Sequence, residues 1–382
     1  MRDLVDERAG PVVIRVLLVD DSPLARRLLG RILSRSAGFV VVGEASDAYA
    51  ARDQIVELRP DVMILDLEMP RMDGISFLRR LMHHFPLPVV VCSSLTQAGG
   101  DTALRALEAG AFAVVNKPSD AQSVAQMAAD LSAAVRAAAS TKGIARSGAS
   151  GAPRDAALSS STTNAPARLA SSNGRARPNC RVLAIGASTG GTVAVEQIAR
   201  DLPPDGPPVV IVQHLPPYIT EAFARRLDQL SRLHVTEARD GATLKRGTAV
   251  VAPGGKHLIV EQRGTELCVC LQNGAKVNGH RPAVDVLFHS VAEAALADAV
   301  GVLLTGMGRD GAEGLHAMHT AGALTFVQDE ASSVVWGMPK AALDLAAADE
   351  VLPLQRIALR ISQAVSRASI TERPLGFSFP RP

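Results

Sequence analysis

Three side chains in the second half of the chain have the types needed for acyl transfer: Ser188 in RVLAIGASTGG, His214 in PVVIVQHLP and Asp310 in AVGVLLTGMGRDG. A serine hydroxyl can attack a carbonyl, an imidazole can take its proton, and a carboxylate can orient that imidazole and balance its charge. GASTG also fits the G-x-S-x-G pattern of a nucleophile on a tight strand-to-helix turn. On such a turn the N–H of Thr189, next to the serine, is a candidate oxyanion donor, and the flexible TGMGRDG segment offers the N–H of Met307 as a second. The first half carries a different chemistry. Asp20, Asp21 and Asp66 supply carboxylates, Ser93 a hydroxyl and Lys117 a cation. Clustered carboxylates call for a hard divalent ion such as Mg²⁺, and an aspartate can accept a phosphoryl group as an easily hydrolysed acyl phosphate.

Each residue has a plainer reading. Ser and Asp commonly cap helices, His214 could be a polar residue before the Pro216–Pro217 turn, and Asp310 could cap GAEGLHAMHTAG. GASTGG could also cradle a phosphate, but a dinucleotide site wants an acidic residue ending the second strand, where this chain has Gln213 and His214. His316 and His319 have metal-compatible spacing but no third ligand nearby, and read as surface residues.

The elements that must bring these residues together are legible. In the first half VVIRVLLVDD, FVVVGEAS, DVMILDLEMP, LPVVVCSS and AFAVVNKP read as strands alternating with amphipathic helices. The site residues fall at strand ends, where ligands bind in open parallel sheets. Strand–helix alternation resumes after Arg181, so two doubly wound parallel-sheet α/β domains are expected, at residues 12–139 and 180–370. Between them, residues 140–179 are rich in Ser, Ala, Gly and Arg without periodicity and read as a flexible linker. A coil of roughly 38 residues spans about 35 Å. Residues 371–382, including RPLGFSFPRP, read as a disordered tail of unassigned role.

Composition narrows the class. At 382 residues with 47% hydrophobic and 20% charged content, the chain can bury two cores. A net charge of +2 and 3% aromatic residues argue against a nucleic-acid partner, and no apolar run suggests membrane insertion. MRDLVDERAG lacks the apolar region of a signal peptide, and four cysteines without a CxxC pair fit reduced thiols, so the expected location is cytoplasmic.

VLLVDDS, ILDLEMPRMDG, VVVCSS and NKP resemble the receiver domains of two-component response regulators. That resemblance implies phosphorylation of Asp66 by a histidine kinase phosphodonor, metal binding by Asp20, Asp21 and Asp66, and signal-linked roles for Ser93 and Lys117. Val114 departs from the aromatic residue that receivers often carry three positions before the lysine, which argues against switching by an aromatic rotamer. AIGASTGG, VQHLP, VAPGGKHL, GHRPAVDVLF, LLTGMGRDGAEG and VVWGMP resemble the catalytic domain of the chemotaxis protein-glutamate methylesterases. This second resemblance implies a Ser188–His214–Asp310 triad needing no cofactor for ester hydrolysis. The implied substrates are methylated glutamates, and certain glutamines, on the cytoplasmic domains of chemoreceptors. It also implies a receiver that covers the site until phosphorylated. Arg281 could contact an acidic receptor surface or form a structural ion pair. The competing classes are a non-catalytic adaptor, disfavoured by the intact triad, and a DNA-binding regulator, disfavoured by the lack of a helix-turn-helix segment or basic clustering.

Overall fold

A computed structural model describes residues 13–69, 71–93, 100–117, 123–148 and 179–365. In the first domain, strands β1 (Ile14–Val19), β2 (Phe39–Ala45), β3 (Val62–Leu65), β4 (Val89–Ser93) and β5 (Ala113–Asn116) form a parallel sheet in the order β2-β1-β3-β4-β5. Its central strands are apolar without alternation, VLLV and VMIL being buried along their lengths, because helices cover both faces. Those helices are α1 (Pro23–Ser34), α2 (Ala48–Leu58), α3 (Gly74–His84), α4 (Gly100–Glu108) and α5 (Ser123–Gly148). Their starts are capped by Ser22 in α1, Asp47 in α2 and Asp73 in α3, whose side chains accept from the first-turn N–H groups. Asp20, Asp21 and Asp66 are therefore not the helix caps.

The second domain carries a seven-stranded sheet in the order β14-β13-β12-β6-β7-β9-β8, parallel throughout. Its strands are β6 (Val182–Ala187), β7 (Val209–Gln213), β8 (His234–Glu237), β9 (Thr248–Val251), β12 (Ala299–Leu303), β13 (Leu324–Gln328) and β14 (Glu350–Leu352). Helices α6 (Gly191–Asp201), α7 (Pro217–Leu230), α8 (Val284–Ala295), α9 (Ala312–Thr320), α10 (Met338–Asp344) and α11 (Leu354–Val365) flank it. β6 lies between β7 and β12, so chain order reverses there and opens a crevice at the carboxyl ends of these strands.

Two features differ from the sequence reading. α5 runs on to Gly148, past position 139 where the reading ended it, because TKGIAR contains no proline to break the Ala-rich run and adds Lys142, Ala145 and Arg146, which favour helix. Residues 149–178 of the assigned linker and the assigned tail lie outside the described residues. Within the second domain, β10 (His257–Arg263) and β11 (Glu266–Gln272) form an antiparallel hairpin rather than another strand–helix unit. Cys268 and Cys270 sit on β11, and all four cysteines are free thiols.

The two domains touch through α4 and α7. Ala103 and Leu104 of α4 are fully buried within the second domain's core cluster, which also holds Phe223 of α7. Val114 and Tyr218 pack at the edge of that cluster. The approach is close at Gly100, where a Cβ would lie 2.3 Å from the Tyr218 carbonyl oxygen. Arg225 pairs with Asp101 at 3.3 Å, and Arg226 with Glu108 at 2.9 Å. These ion pairs are partly exposed and add little, so the apolar contact dominates.

Candidate active site and phosphoryl-accepting site

Ser188 directly follows β6 on the turn leading into α6. Its N–H donates to the Thr305 carbonyl at 3.0 Å, and its own carbonyl accepts from Gln213 Nε2 at 2.8 Å. Gly190, with φ +77°, is the N-cap of α6 and no side chain caps that helix, so the serine hydroxyl is not spent as a cap. The two strand ends flanking β6 thus hold the turn's backbone: Gln213 from β7, and Thr305 just beyond β12, whose hydroxyl lies 2.9 Å from the Thr189 carbonyl. Gly306 permits the close approach, since a Cβ there would lie 2.8 Å from the Ser188 Cβ and 2.1 Å from Met338 Sδ.

His214 follows β7, and its Nε2 lies 2.8 Å from Asp310 Oδ2. Asp310 is about 1% exposed and accepts three further hydrogen bonds. Val284 N–H reaches Oδ2 at 2.7 Å, while Asn278 Nδ2 and Asp285 N–H reach Oδ1 at 3.0 and 3.2 Å. Burial opposes ionisation of this carboxyl, but the bonds from His214, Asn278 and Val284 win and hold its pKa down at about 2. Asp310 does not cap α9, whose N-cap is Gly311. Its carboxylate serves instead at the start of α8, which has no side-chain cap of its own and whose dipole favours an anion.

An ionised Asp310 can only accept, so Nε2 of His214 carries its proton and Nδ1 carries the basic lone pair. His214 Nδ1 is buried and has no hydrogen-bond partner in this structure, Ser188 Oγ included. Serine–base hydrogen bonds often tighten only when substrate binds. Among the described residues the N–H groups of Thr189 and Met307 donate to no backbone or side-chain acceptor, and Met307 is exposed at the site's mouth. The arrangement thus offers a nucleophile, an oriented base and two free backbone donors at one sheet edge.

Several contributors escaped sequence reasoning. Asn278 and Asp285 bond Asp310, His280 stacks on His214, and Gln213 and Thr305 hold the turn that carries Ser188. The Asn278–Gly279 dipeptide was a readable turn signal, but nothing in one sequence connects it to Asp310. His280 stacks on His214 with ring centroids 3.7 Å apart and planes 12° from parallel. Arg281 forms no ion pair among the described residues, and its Nη1 donates to the Gly274 carbonyl at 2.6 Å, holding a loop. His316 is exposed, and His319 meets Thr325 and Asp349 rather than a metal-ligand set.

In the first domain Asp20, Asp21 and Asp66 each place a carboxylate oxygen within 4.8 Å of the others. Lys117 Nζ lies 2.7 Å from Asp20 Oδ2 and 2.8 Å from Asp66 Oδ2. Burial opposes the Lys117 charge, yet the two carboxylates outweigh it and raise its pKa. For Asp66, burial outweighs Lys117 and raises the carboxyl above its usual range. Ser93 ends β4, 2% exposed, on the same sheet edge. No aromatic occupies position 114; α7 contributes the aromatic residues Tyr218 and Phe223 to this seam.

Fold and site define the class first: a receiver-type domain joined to a second doubly wound parallel α/β domain with a candidate acyl-transfer site at a topological switch point. Residues 16–129 match the response regulator receiver domain, and residues 183–361 match the CheB methylesterase domain. The chain is 49% identical over 358 residues to a protein-glutamate methylesterase/protein-glutamine glutaminase of Anaeromyxobacter dehalogenans, covering 94% of this chain and 97% of that one. It is 46% identical over 369 residues to one from Rhodospirillum rubrum, covering 94% and 100%. Among solved structures, the CheB methylesterase catalytic domain of Thermotoga maritima is similar at 37% identity with a TM-score of 0.47, covering 47% of this chain and 96% of that one. The chain belongs to the protein-glutamate methylesterase/protein-glutamine glutaminase family.

Proposed function

We propose that this chain hydrolyses methylated glutamate side chains, and deamidates certain glutamines, on the cytoplasmic domains of chemoreceptors, giving sensory adaptation under control of its receiver. The observation that carries this reading is the Asp310–His214 pair at 2.8 Å, with the unpartnered Nδ1 of His214 at the sheet edge that bears Ser188. Ser188 Oγ attacks the ester carbonyl as His214 Nδ1 takes its proton. The N–H groups of Thr189 and Met307 bind the oxyanion, and Asp310 stabilises the imidazolium. Collapse expels methanol, which leaves with the proton from Nδ1. Water, deprotonated in turn by Nδ1, then splits the acyl-serine to release glutamate and restore the hydroxyl. With a glutamine side chain the same sequence expels ammonia. No cofactor enters these steps. No helix among the described residues is long and apolar enough to cross a membrane.

In the receiver, Asp66 is the phosphoryl acceptor for a histidine kinase. Asp20, Asp21 and Asp66 suit a hard cation by donor chemistry and spacing. Bound Mg²⁺ would neutralise the phosphoryl oxygens during transfer. Lys117 stands ready to pair with one of those oxygens, and Ser93 to donate its hydroxyl. The α4–α7 contact is the coupling element, because α7 begins three residues beyond His214.

The test is methanol release from a methylated receptor fragment by the full chain, with Mg²⁺ and with or without a small acyl-phosphate donor. The donor is expected to raise the rate about tenfold or more, and Asp66→Asn to abolish that rise while keeping basal turnover. Equal rates with and without donor would reject receiver control; no turnover in either case would reject the esterase reading. Leu104→Asp places a charge in the apolar α4–α7 contact, which costs several kcal/mol if it stays buried. It is expected to raise basal release about tenfold without donor, in the same assay, and to flatten the donor response.

A further inference from the structure

One hydrogen bond to Asp310 fixes a single point of the His214 ring and does not by itself set the plane about the Cβ–Cγ bond. The base must nevertheless present Nδ1 toward Ser188. We propose that His280 is a positioning residue that sets the plane of His214, carried on a rigid turn whose other central side chain holds Asp310. This rests on the triad reading above.

The turn is Val277–His280. Val277 N–H donates to the His280 carbonyl at 3.0 Å, and His280 N–H returns the bond to the Val277 carbonyl at 2.9 Å. Its central residues have φ +52° at Asn278 and +82° at Gly279, as a two-residue hairpin turn with both central φ positive requires. Asn suits the first position because it tolerates the left-handed region, and Gly suits the second. A Cβ at Gly279 would meet nothing within 4 Å, so glycine is there for its backbone and not for space. From this frame Asn278 Nδ2 donates to Asp310 Oδ1 at 3.0 Å and lies close to Asp285 Oδ2 at 2.6 Å. Two residues on, the His280 ring lies flat against His214, centroids 3.7 Å apart and 12° from parallel. One turn therefore grips the base and its carboxylate together, and neither can tilt without disturbing the other's support.

His280 is not itself arranged as a base, since Asp310 is bonded to His214 and no carboxylate bonds the His280 ring among the described residues. Burial, and then the neighbouring His214, lower its pKa to about 4. The ring facing His214 is thus neutral when the imidazolium forms, and a neutral aromatic face next to a cation is favourable.

Full-length His280→Leu and His280→Phe, activated with an acyl phosphate, would be compared with wild type in methanol release and in labelling of Ser188 by a fluorophosphonate, which needs the base but no receptor recognition. His280→Leu is expected to lose about 30- to 100-fold in kcat with KM within about twofold, as for a misplacement near 1 Å. Labelling should slow in parallel, and His280→Phe, which restores a flat ring, should recover about tenfold. Three results would each overturn the inference: kcat in His280→Leu within about threefold of wild type, unchanged labelling despite a lower kcat, or no recovery in His280→Phe with both variants folded. A wild-type chain that neither releases methanol nor labels at Ser188 would instead sink the hydrolase reading beneath it.

Discussion

Ser188→Ala is expected to lower methanol release by about 10⁵- to 10⁶-fold, the loss seen when a triad nucleophile is removed. The substitution is clean here. Alanine keeps the Cβ that packs near Gly306, and the Ser188 N–H and carbonyl keep their bonds to Thr305 and Gln213. The hydroxyl forms no hydrogen bond among the described residues, so unfolding free energy should stay within about 0.5 kcal/mol of wild type. Kinetics beside a thermal melt would check both halves. Retained turnover would show that Ser188 is not the nucleophile, and a large drop in melting temperature would make the activity loss uninformative.

Asp310→Asn is expected to cost about 10⁴-fold in kcat. Each oxygen of Asp310 accepts from two donors: Oδ2 from His214 and Val284, Oδ1 from Asn278 and Asp285. An amide has one NH₂ to place. Turned toward Oδ1's partners, it opposes two N–H donors. Turned toward His214, it opposes Val284 N–H and drives the imidazole proton from Nε2 to Nδ1, where the base needs a lone pair. Either way a buried donor pair is left unsatisfied, at about 1–3 kcal/mol of stability. The wild-type carboxylate also contributes through its depressed pKa. That contribution is complete above pH ~4 and is lost as pH falls toward about 2, on the order of 2 kcal/mol. Acid unfolding of the asparagine variant should lack this component, and steady-state kinetics with denaturation curves at pH 7 and pH 3 would measure both effects. A variant with wild-type kcat would remove Asp310 from the mechanism.

The candidate phosphoryl-accepting cluster was the easier of the two to read, because Asp20, Asp21, Asp66, Ser93 and Lys117 all sit at or just beyond strand ends whose buried runs announce themselves. Ser188, His214 and Asp310, the proposed triad, were equally visible, each after its own apolar strand. What was misread lay where local pattern is silent. α5 extends past Ser140 because helix ends depend on breakers and packing, and TKGIAR offers no proline. The β10–β11 hairpin packs on α8 and so replaces what alternation alone would make another helix.

By itself the amino-acid sequence determined two parallel α/β domains and placed the candidate groups of each domain at or beyond the ends of its apolar strands, because burial on both faces forces continuous apolar strands and topology gathers their ends. Only the tertiary structure decided which nitrogen of His214 is free, that Asp310 serves α8 rather than α9, and that Asn278 bonds Asp310 and His280 stacks on His214 from one turn with no catalytic motif of its own. It also decided that Val114 of the receiver and Tyr218 of α7 pack against one shared core cluster. These are contacts between residues distant in the chain. Periodicity reports how a segment buries its own surface, whereas the partner a side chain meets across the fold is fixed by how separate elements pack, and no local pattern encodes that.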